Sequence, residues 1–575
     1  MMEKKQIAQV LHETGVLLEL KGENPFKVRA YINAARTVEM LDEDIRELVA
    51  SGAVKTIKGI GAKLSEHIAE LVTTGELSFY RELRAGIPGG LLDLLKVPGL
   101  GPKKIYALHQ ALDVESIADL EYACHENRLV SLKGFGKKSQ ENVLQGIEYI
   151  KKFQGQYLIS EARTEAEKLF SALKACGLLK DLSIAGSLRR SKELVKDIDI
   201  VAASADAPGV MDFFAALPHI ADILGRGDTK TSVRLDSGIN ADLRVVSPEQ
   251  FHYALAHFTG SKEHNTALRQ RAKKMGFKLN EYGLFSAAGT LPAHCEGDLF
   301  TGLGLAYIPP ELREDMGEIE AADKDMLPEL VTLNDITGVF HVHTTYSDGM
   351  HSLAEMAGEA QKAGFSYLGI SDHSQTASYA GGLKIDAVKR QNEEIRARNK
   401  ANPDFYVFHG IESDIHSDGS LDYPDDILAL FDFVIASVHS GFSIAGDRAT
   451  RRLITAMENP FVTMLGHPTG RILLGRRGYD PDMKRVIQAA RANNVIIELN
   501  ASPFRLDIDW RHIKYAKQQG VIISINPDAH SKEDLYETGY GVSMARKGWL
   551  EKDDVFNTWD REKIMSHFAQ KRNRT

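Results

Sequence analysis

The chain has 575 residues, 43% of them apolar and 26% charged, with a net charge of -9. At about 150 residues per domain this length calls for three or four globular domains. No apolar run approaches the roughly 18 residues of a membrane span, and the amphipathic start MMEKKQIAQVLHETGVLLEL lacks a signal-peptide core. Three scattered cysteines (Cys124, Cys176, Cys295) form neither a CxxC pair nor a disulfide framework, so a reducing cytoplasm is expected. The acidic balance argues mildly against nucleic-acid binding unless local loops supply the phosphate contacts.

Such loops come first in the chain. IKGIGAKLSEHI (57–68), VPGLGPKKIYAL (97–108) and LKGFGKKSQENV (132–143) form a weak threefold repeat. Each has an apolar residue, a Gly-x-Gly (Gly59 and Gly61, Gly99 and Gly101, Gly134 and Gly136) and a small or basic residue opening a helix. The first glycine permits a tight turn and the second a close backbone approach. The helix N-terminus beyond then presents free N–H groups to an anion, beside Lys63, Lys103, Lys104, Lys137 and Lys138. One copy is only a helical turn. Three copies point to helix-hairpin-helix motifs that read DNA phosphates rather than bases. The third copy keeps the plain-turn reading open. Upstream, ENPFKVRAYINAARTVEML resembles the 5′-phosphate-binding helix of DNA polymerase beta-like enzymes. That resemblance implies phosphate contacts from Lys27 and Tyr31 and base stacking on Phe26. It also places His67 where those enzymes use a Schiff-base lysine, which argues against lyase chemistry here.

In the middle, SIAGSLRRSKELVKDIDIV reads as a strand ending in Gly186-Ser187, a polar stretch, and a strand bearing Asp197-x-Asp199 on one face. Asp242 follows in the strand-like GINADLRVV. Three converging carboxylates repel one another unless cations bind, and two magnesium (or manganese) ions would clamp an in-line phosphoryl transfer. A lone DxD is weak; a GS about ten residues ahead of it is the nucleotidyltransferase signature. Gly186 and Ser187 would hold a triphosphate, and Arg190 would stabilise the leaving pyrophosphate. The segment HFTGSKEHNTALRQRAKKMGFKLNEYGLF then resembles the thumb of family X polymerases. By that resemblance Phe258 stacks under the incoming sugar, Gly260 approaches it, Asn265 bonds the base edge and Arg269 contacts the template strand. His257, Lys262, Val195 and Lys196 depart from the family pattern at the steric-gate, base-packing and triphosphate positions.

Residues 314–335 are acidic and read as a linker or solvated helix-turn. Beyond them, short β-branched runs alternate with helical stretches, about seven times, as in a parallel barrel whose strand ends converge on one face. Those ends carry His341, His343, Asp348, His373, Glu412, His439, His467, Asp528 and His530, donors suited to borderline divalent metals. FHVHTTYSDGMHS, followed by SDH, GIE, SVH, GHP and DAH, resembles the PHP (polymerase and histidinol phosphatase) domain. The resemblance implies three manganese or zinc ions. One would be held by His341, His343, Glu412 and Asp528, one by Glu412, His439 and His530, and one by Asp348, His373 and His467. Such a centre lowers the pKa of bound water enough for hydrolysis near neutral pH.

The whole chain thus resembles a bacterial family X DNA polymerase, a multidomain α+β and α/β protein. The expected parts are an N-terminal helical domain (1–82), a fingers-like helical domain (83–154), a nucleotidyltransferase palm (155–248), a thumb (249–315), a linker (316–335) and a distorted (β/α)7 PHP barrel (336–575). The implied activity is gap filling in DNA repair, with a 3′-5′ exonuclease or 3′-phosphodiesterase and cleavage at abasic sites. The implied partners are gapped or nicked DNA and dNTPs, met by a monomer with no membrane association. Two rival readings are a non-catalytic DNA-end binder and a small-molecule phosphatase fused to a DNA-binding module.

Overall fold

The computed structural model describes every residue except 1, 3, 42, 126–127, 133, 154, 443, 445, 476–477 and 573–575, and the chain divides into two units, Met1–Gln154 and Gly155–Thr575. In the first unit the helical domains expected at 1–82 and 83–154 share one core, running from Ile7 to Ile147. The three repeats take one shape. Gly59, Gly99 and Gly134 have φ of 92°, 85° and 92°, values that only glycine adopts without strain. Gly61, Gly101 and Gly136 immediately precede the helices Ala62–Thr74, Pro102–Leu112 and Lys137–Phe153. Ile60, Leu100 and Phe135 between the glycines are buried, whereas all six glycines are exposed and a β-carbon at any of them would meet nothing within 4 Å. The apolar residue anchors each turn, its own N–H donating to the carbonyl of Ile57, Val97 or Leu132 at 3.1, 3.1 and 3.0 Å, and leaves the two flanking glycines at the surface. Lys133 of the third copy lies outside the described residues.

The second unit begins with the palm. Its five-stranded sheet has the order Asp181–Ile184, Asp197–Ala203, Asn240–Val246, Lys230–Leu235, Ile220–Arg226. The central pair is parallel, with Asp199 opposite Asp242; the other neighbours are antiparallel. Strand alternation turns Ile198 and Ile200 into a core with Ala162, Leu169 and Phe214 of the helices Ile159–Ala175 and Ala207–Ala215, and turns Asp197 and Asp199 to the opposite face. The thumb packs the helices Phe251–Thr259, Lys262–Lys274 and Glu296–Gly302 over a three-stranded sheet.

The stretch expected as a solvated linker is packed instead. Glu318 is fully buried, pairs with His264 Nδ1 at 2.7 Å and accepts from the amides of Asp315 (3.1 Å) and Met316 (2.8 Å). Ile319, Ala322 and Leu330 join the thumb core beside Trp549, and Val331 N donates to Leu550 O at 3.0 Å. An acidic segment stays solvated only where buried donors are absent, and here the far end of the chain packs against it.

Seven parallel strands follow in sequence order: Gly338–Val342, Tyr367–Ile370, Tyr406–Asp414, Phe433–Ser437, Met464–Leu465, Ile496–Asn500 and Ile523–Asn526. A bridge between Val342 and Ala529 brings the last beside the first. Nearly every strand residue is buried, as in parallel sheets covered on both faces. Phe340, Tyr367, Phe408, Phe433, Phe556 and Phe568 form one aromatic cluster. Glycines make room for it: a β-carbon at Gly338, Gly369 or Gly410 would stand 2.4, 2.2 or 2.3 Å from a ring atom of Tyr367, Phe340 or Phe433. Among the described residues no helix is long and apolar enough to cross a membrane.

Candidate active sites

The palm carboxylates stand on adjacent strands at the same level. Burial, and then the charges of Asp197 and Asp242, push the Asp199 carboxyl up to about 7; Asp197 is also raised, by burial and then by Asp242. Lys230 Nζ lies 2.5 Å from Asp242 Oδ2 and supplies the counter-charge. Among the described residues, these three do not form a group with all ligand atoms within 4.8 Å of one another. Mutual repulsion on a half-buried surface is nonetheless the electrostatic setting that a divalent cation relieves. Gly186 (φ 63°) opens the short helix Gly186–Arg189, which includes the half-buried Ser187, directly against Asp199.

Of the expected nucleotide contacts, Arg190 is engaged within the protein. Its Nε donates to Glu314 Oε1 at 3.0 Å and its Nη1 to the Thr259 carbonyl. The Arg244 guanidinium covers the Phe258 ring at 4.2 Å. Gly260 has φ 72°, and the Gly260–Ser261 peptide is cis. Asn265 Nδ2 donates to His257 O at 2.7 Å, and Arg269 Nε to Asn265 O at 3.2 Å. In the N-terminal unit Phe26 is 75% exposed and Lys27 lies at the surface, 3.4 Å from Glu23. Tyr31, expected on a phosphate, faces inward with Val28, Ala35 and Val38, and its hydroxyl meets His67 Nδ1 at 2.9 Å.

In the barrel the nine predicted residues gather at one end. Glu412 is central. Its Oε1 lies 3.2, 3.1 and 3.0 Å from the Nε2 atoms of His341, His439 and His467, and its Oε2 lies 2.9 Å from His373 Nδ1. Asp528 Oδ1 is 3.2 Å from His343 Nε2 and 3.4 Å from His341 Nε2; Asp348 Oδ1 is 3.6 Å from His373 Nε2 and 3.5 Å from His530 Nε2. The ligand atoms fall into overlapping groups, each within 4.8 Å: His343, Asp348, His373 and His530; His341, Glu412 and His467; His341, His343 and Asp528; His373, Glu412 and His439. This corrects the expected partition at two residues. His467 sits with Glu412 rather than Asp348. His530 sits with Asp348, its ring stacked 4.2 Å from His343, because barrel closure sets the last strand beside the first.

Further residues hold these donors, and the sequence reading named none of them. Glu498 Oε2 lies 2.5 Å from His341 Nδ1 and accepts from Asn526 Nδ2 at 2.9 Å; Asn500 Nδ2 donates to Asp528 Oδ2 at 3.1 Å. Asp414 accepts from His439 Nδ1. Asp414 was legible as the residue two past Glu412 on the same strand face, and Glu498 as the lone acid in the apolar run VIIELN. His341 and Asp528 hold left-handed backbones (φ 60° and 54°), the kind of strain kept where a site needs it.

Burial opposes a charge on His341, but Glu498, Asp528 and Glu412 hold its pKa well above the usual value; His439 is driven to about 10 in the same way by Glu412 and Asp414. Burial, and then His530 and His373, push His343 down to about 3. Among the described residues, His341 Nε2, both ring nitrogens of His343 and Glu412 Oε2 are buried without a hydrogen-bond partner. Unsatisfied buried donors and acceptors facing one another fit divalent cations bound by nitrogen and oxygen.

Family models match four stretches: a helix-hairpin-helix domain at 2–77, a SAM-like helix-hairpin-helix tandem at 91–148, the DNA polymerase beta thumb at 254–314 and the PHP domain at 340–502. The chain is 40% identical over 562 residues to the DNA polymerase/3′-5′ exonuclease PolX of Bacillus subtilis, covering 97% of each chain. It is also 30% identical over 249 residues to a "Probable phosphatase" of Thermoanaerobacter sp., 40% of this chain and 94% of that one. A "Probable phosphatase" of Caldicellulosiruptor bescii matches at 33% over 208 residues, 34% of this chain and 80% of that one.

Proposed function

Because the chain belongs to the bacterial family X DNA polymerases that carry a PHP domain, we propose that it fills short gaps during DNA repair and trims 3′ ends at a second, separate site. The observation that carries this reading is the pairing, on one chain, of three carboxylates on two adjacent parallel palm strands with a histidine-rich cluster in the barrel. Magnesium or manganese in the palm, and manganese or zinc in the barrel, supply charge neutralisation and Lewis acidity when bound.

The residues divide the work. Asp197, Asp199 and Asp242 hold the palm cations by their oxygens. Gly186, Ser187 and Arg190 receive the triphosphate, and Phe258, Gly260, Asn265 and Arg269 align the nascent pair. The exposed glycine turns at Gly59 and Gly61, Gly99 and Gly101, and Gly134 and Gly136, each leading into a helix N-terminus, take backbone phosphates without reading bases, and the surface residue Lys27 of the same unit adds charge. In the barrel, His341, His343, Asp348, His373, Glu412, His439, His467, Asp528 and His530 hold up to three ions. Glu498 and Asp414 fix the tautomers of His341 and His439 by accepting at Nδ1, so that each Nε2 faces the centre. The reaction there is hydrolysis of a 3′-terminal phosphodiester, extended to cleavage at abasic sites. The enzyme acts as a cytoplasmic monomer on gapped or nicked DNA with dNTPs.

A second reading, hydrolysis of small phosphate esters, is favoured by the identity of the barrel to proteins named phosphatases. Metal analysis of the purified protein, with hydrolysis of a 3′-labelled gapped duplex and of p-nitrophenyl phosphate in magnesium, manganese and zinc, separates the two. Release of single nucleotides from the duplex at the higher kcat/KM supports the end-trimming reading. Efficient ester hydrolysis with an untouched duplex overturns it.

A further inference from the structure

The segment of the palm between Gly186-Ser187 and Asp197 is gripped by the barrel at two points. At the first, Glu193 is buried and accepts from Trp510 Nε1 at 3.0 Å and Arg511 Nη1 at 2.9 Å. At the second, Lys547, the last residue of the barrel helix Thr538–Lys547, reaches in with its side chain fully buried. Its Nζ donates to the Arg190 carbonyl at 2.9 Å and to Glu314 Oε1 at 2.5 Å, and lies 4.6 Å from the Trp510 ring centroid.

Glu314 is therefore one nearly buried carboxylate shared by three cations: Arg190 Nε at 3.0 Å, Lys547 Nζ at 2.5 Å and Lys192 Nζ at 3.5 Å. This arrangement bears directly on nucleotide binding. For Arg190 to turn its guanidinium onto the triphosphate, it gives up its Nε bond to the Glu314 carboxylate and its Nη1 bond to the neutral Thr259 carbonyl; only the first leaves a charge behind. A buried carboxylate resists losing its partner, because an unpaired charge in a low-dielectric site is strongly unfavourable. Lys547 removes that obstacle. It stays on the same Glu314 oxygen when the guanidinium departs, so Glu314 is never left with only the more distant Lys192.

We propose that Lys547 of the PHP domain is a positioning residue for the polymerase site, the standing counter-ion of Glu314 that frees Arg190 to receive the incoming triphosphate. The proposal rests on the assignment of Arg190 to the triphosphate. It makes one catalytic domain a working part of the other without any shared substrate. It also separates affinity from turnover: without Lys547, the fraction of molecules with Arg190 released falls, and the apparent dNTP affinity falls by that fraction. Once the nucleotide is bound, the chemical step is the same.

The test is single-nucleotide gap filling by the full-length enzyme, with 3′ hydrolysis as the check that the barrel is intact. K547M is expected to raise the dNTP KM by about tenfold or more with kcat within about threefold, and to leave 3′ hydrolysis unchanged. K547R keeps a buried cation and restores most of the affinity. E314Q removes the competing charge, so the E314Q/K547M double variant returns KM toward the parent value, and E314Q alone lowers KM even if K547M fails to fold. An unchanged KM in K547M, a raised KM that E314Q does not rescue, or, where K547M is misfolded, an unchanged or raised KM in E314Q overturns the proposal. R190A separates the premise from the proposal. If R190A leaves kcat and KM for dNTP unaltered, Arg190 does not serve the triphosphate and both fall; if R190A impairs turnover while K547M behaves as the parent, only the proposal falls.

Discussion

Gly186 touches Asp199 because it has no side chain: a β-carbon at position 186 would stand 2.1 Å from Asp199 Oδ2 and 3.0 Å from Asp199 Cβ. The contact presses the turn after the first palm strand onto the strand that bears the carboxylates. The backbone at Gly186 is also left-handed, with φ 63°. Gly186→Ala is therefore expected to displace the Asp199 carboxylate and to lower nucleotide addition by about 100-fold, the scale of an ångström-sized misplacement. Hydrolysis in the barrel should not change. Primer extension and 3′-end release measured on the same preparation check this, and a variant that still extends primers at the parent rate contradicts it.

The pair Asp414 and His439 carries the second prediction. Asp414 accepts from His439 Nδ1 and also from Thr376 Oγ1 at 2.9 Å, which leaves His439 Nε2 facing Glu412. Asp414→Asn keeps the shape and weakens the grip on the ring. Manganese should then be needed at about 10–100-fold higher concentration for 3′ hydrolysis, the usual effect of losing an outer partner of a ligating histidine. Gap filling at saturating magnesium should match the parent. A metal titration curve that does not move argues against this role for Asp414.

His409 provides a test of the barrel's stability that is independent of the ligands. It is buried on the strand Tyr406–Asp414, with Nδ1 2.8 Å from Asn392 Nδ2, and burial followed by the charge of Arg396 pushes its pKa down to about 4. The folded chain refuses a proton that the unfolded chain accepts near 6.5. The stability this contributes is whole above pH 6.5 and is lost as the pH falls toward 4, by about 2 kcal/mol on going from pH 7.5 to 5. His409→Phe keeps a ring beside Phe431 and has nothing to titrate. The difference in urea unfolding free energy between pH 7.5 and pH 5 should be smaller in the variant by that amount. Equal pH dependence in the two proteins would falsify the assignment.

The sequence displayed the barrel and its ligands for a physical reason. A parallel strand buried on both faces is a short β-branched run, and the first polar side chain beyond it lies at the working end. The nine donors come in order with those runs, His341 and Glu412 inside their strands near the C-terminal ends and the other seven beyond the strand ends. Their grouping was not legible, because nothing local marks ring closure; only closure puts His530 beside His343 and Asp348 and leaves His467 to Glu412. The acidic stretch after Arg313 misled for a related reason. Its solvation depends on His264 and Lys547, which approach from elsewhere in the chain. Tyr31 differs from both. Its spacing from Val28, Ala35 and Val38 places it on the inner face of the helix, a periodicity that outweighed the motif.

The central claim is that one chain holds two chemically distinct, independently removable centres. It is tested most directly by following nucleotide addition and 3′-nucleotide release on one gapped duplex with two double variants, Asp197→Ala with Asp199→Ala and His341→Ala with His343→Ala. The account predicts reciprocal losses: the first variant still releases nucleotides in manganese and adds none, and the second still adds nucleotides in magnesium and releases none. A folded double variant that has lost both activities, or one that retains both, contradicts it.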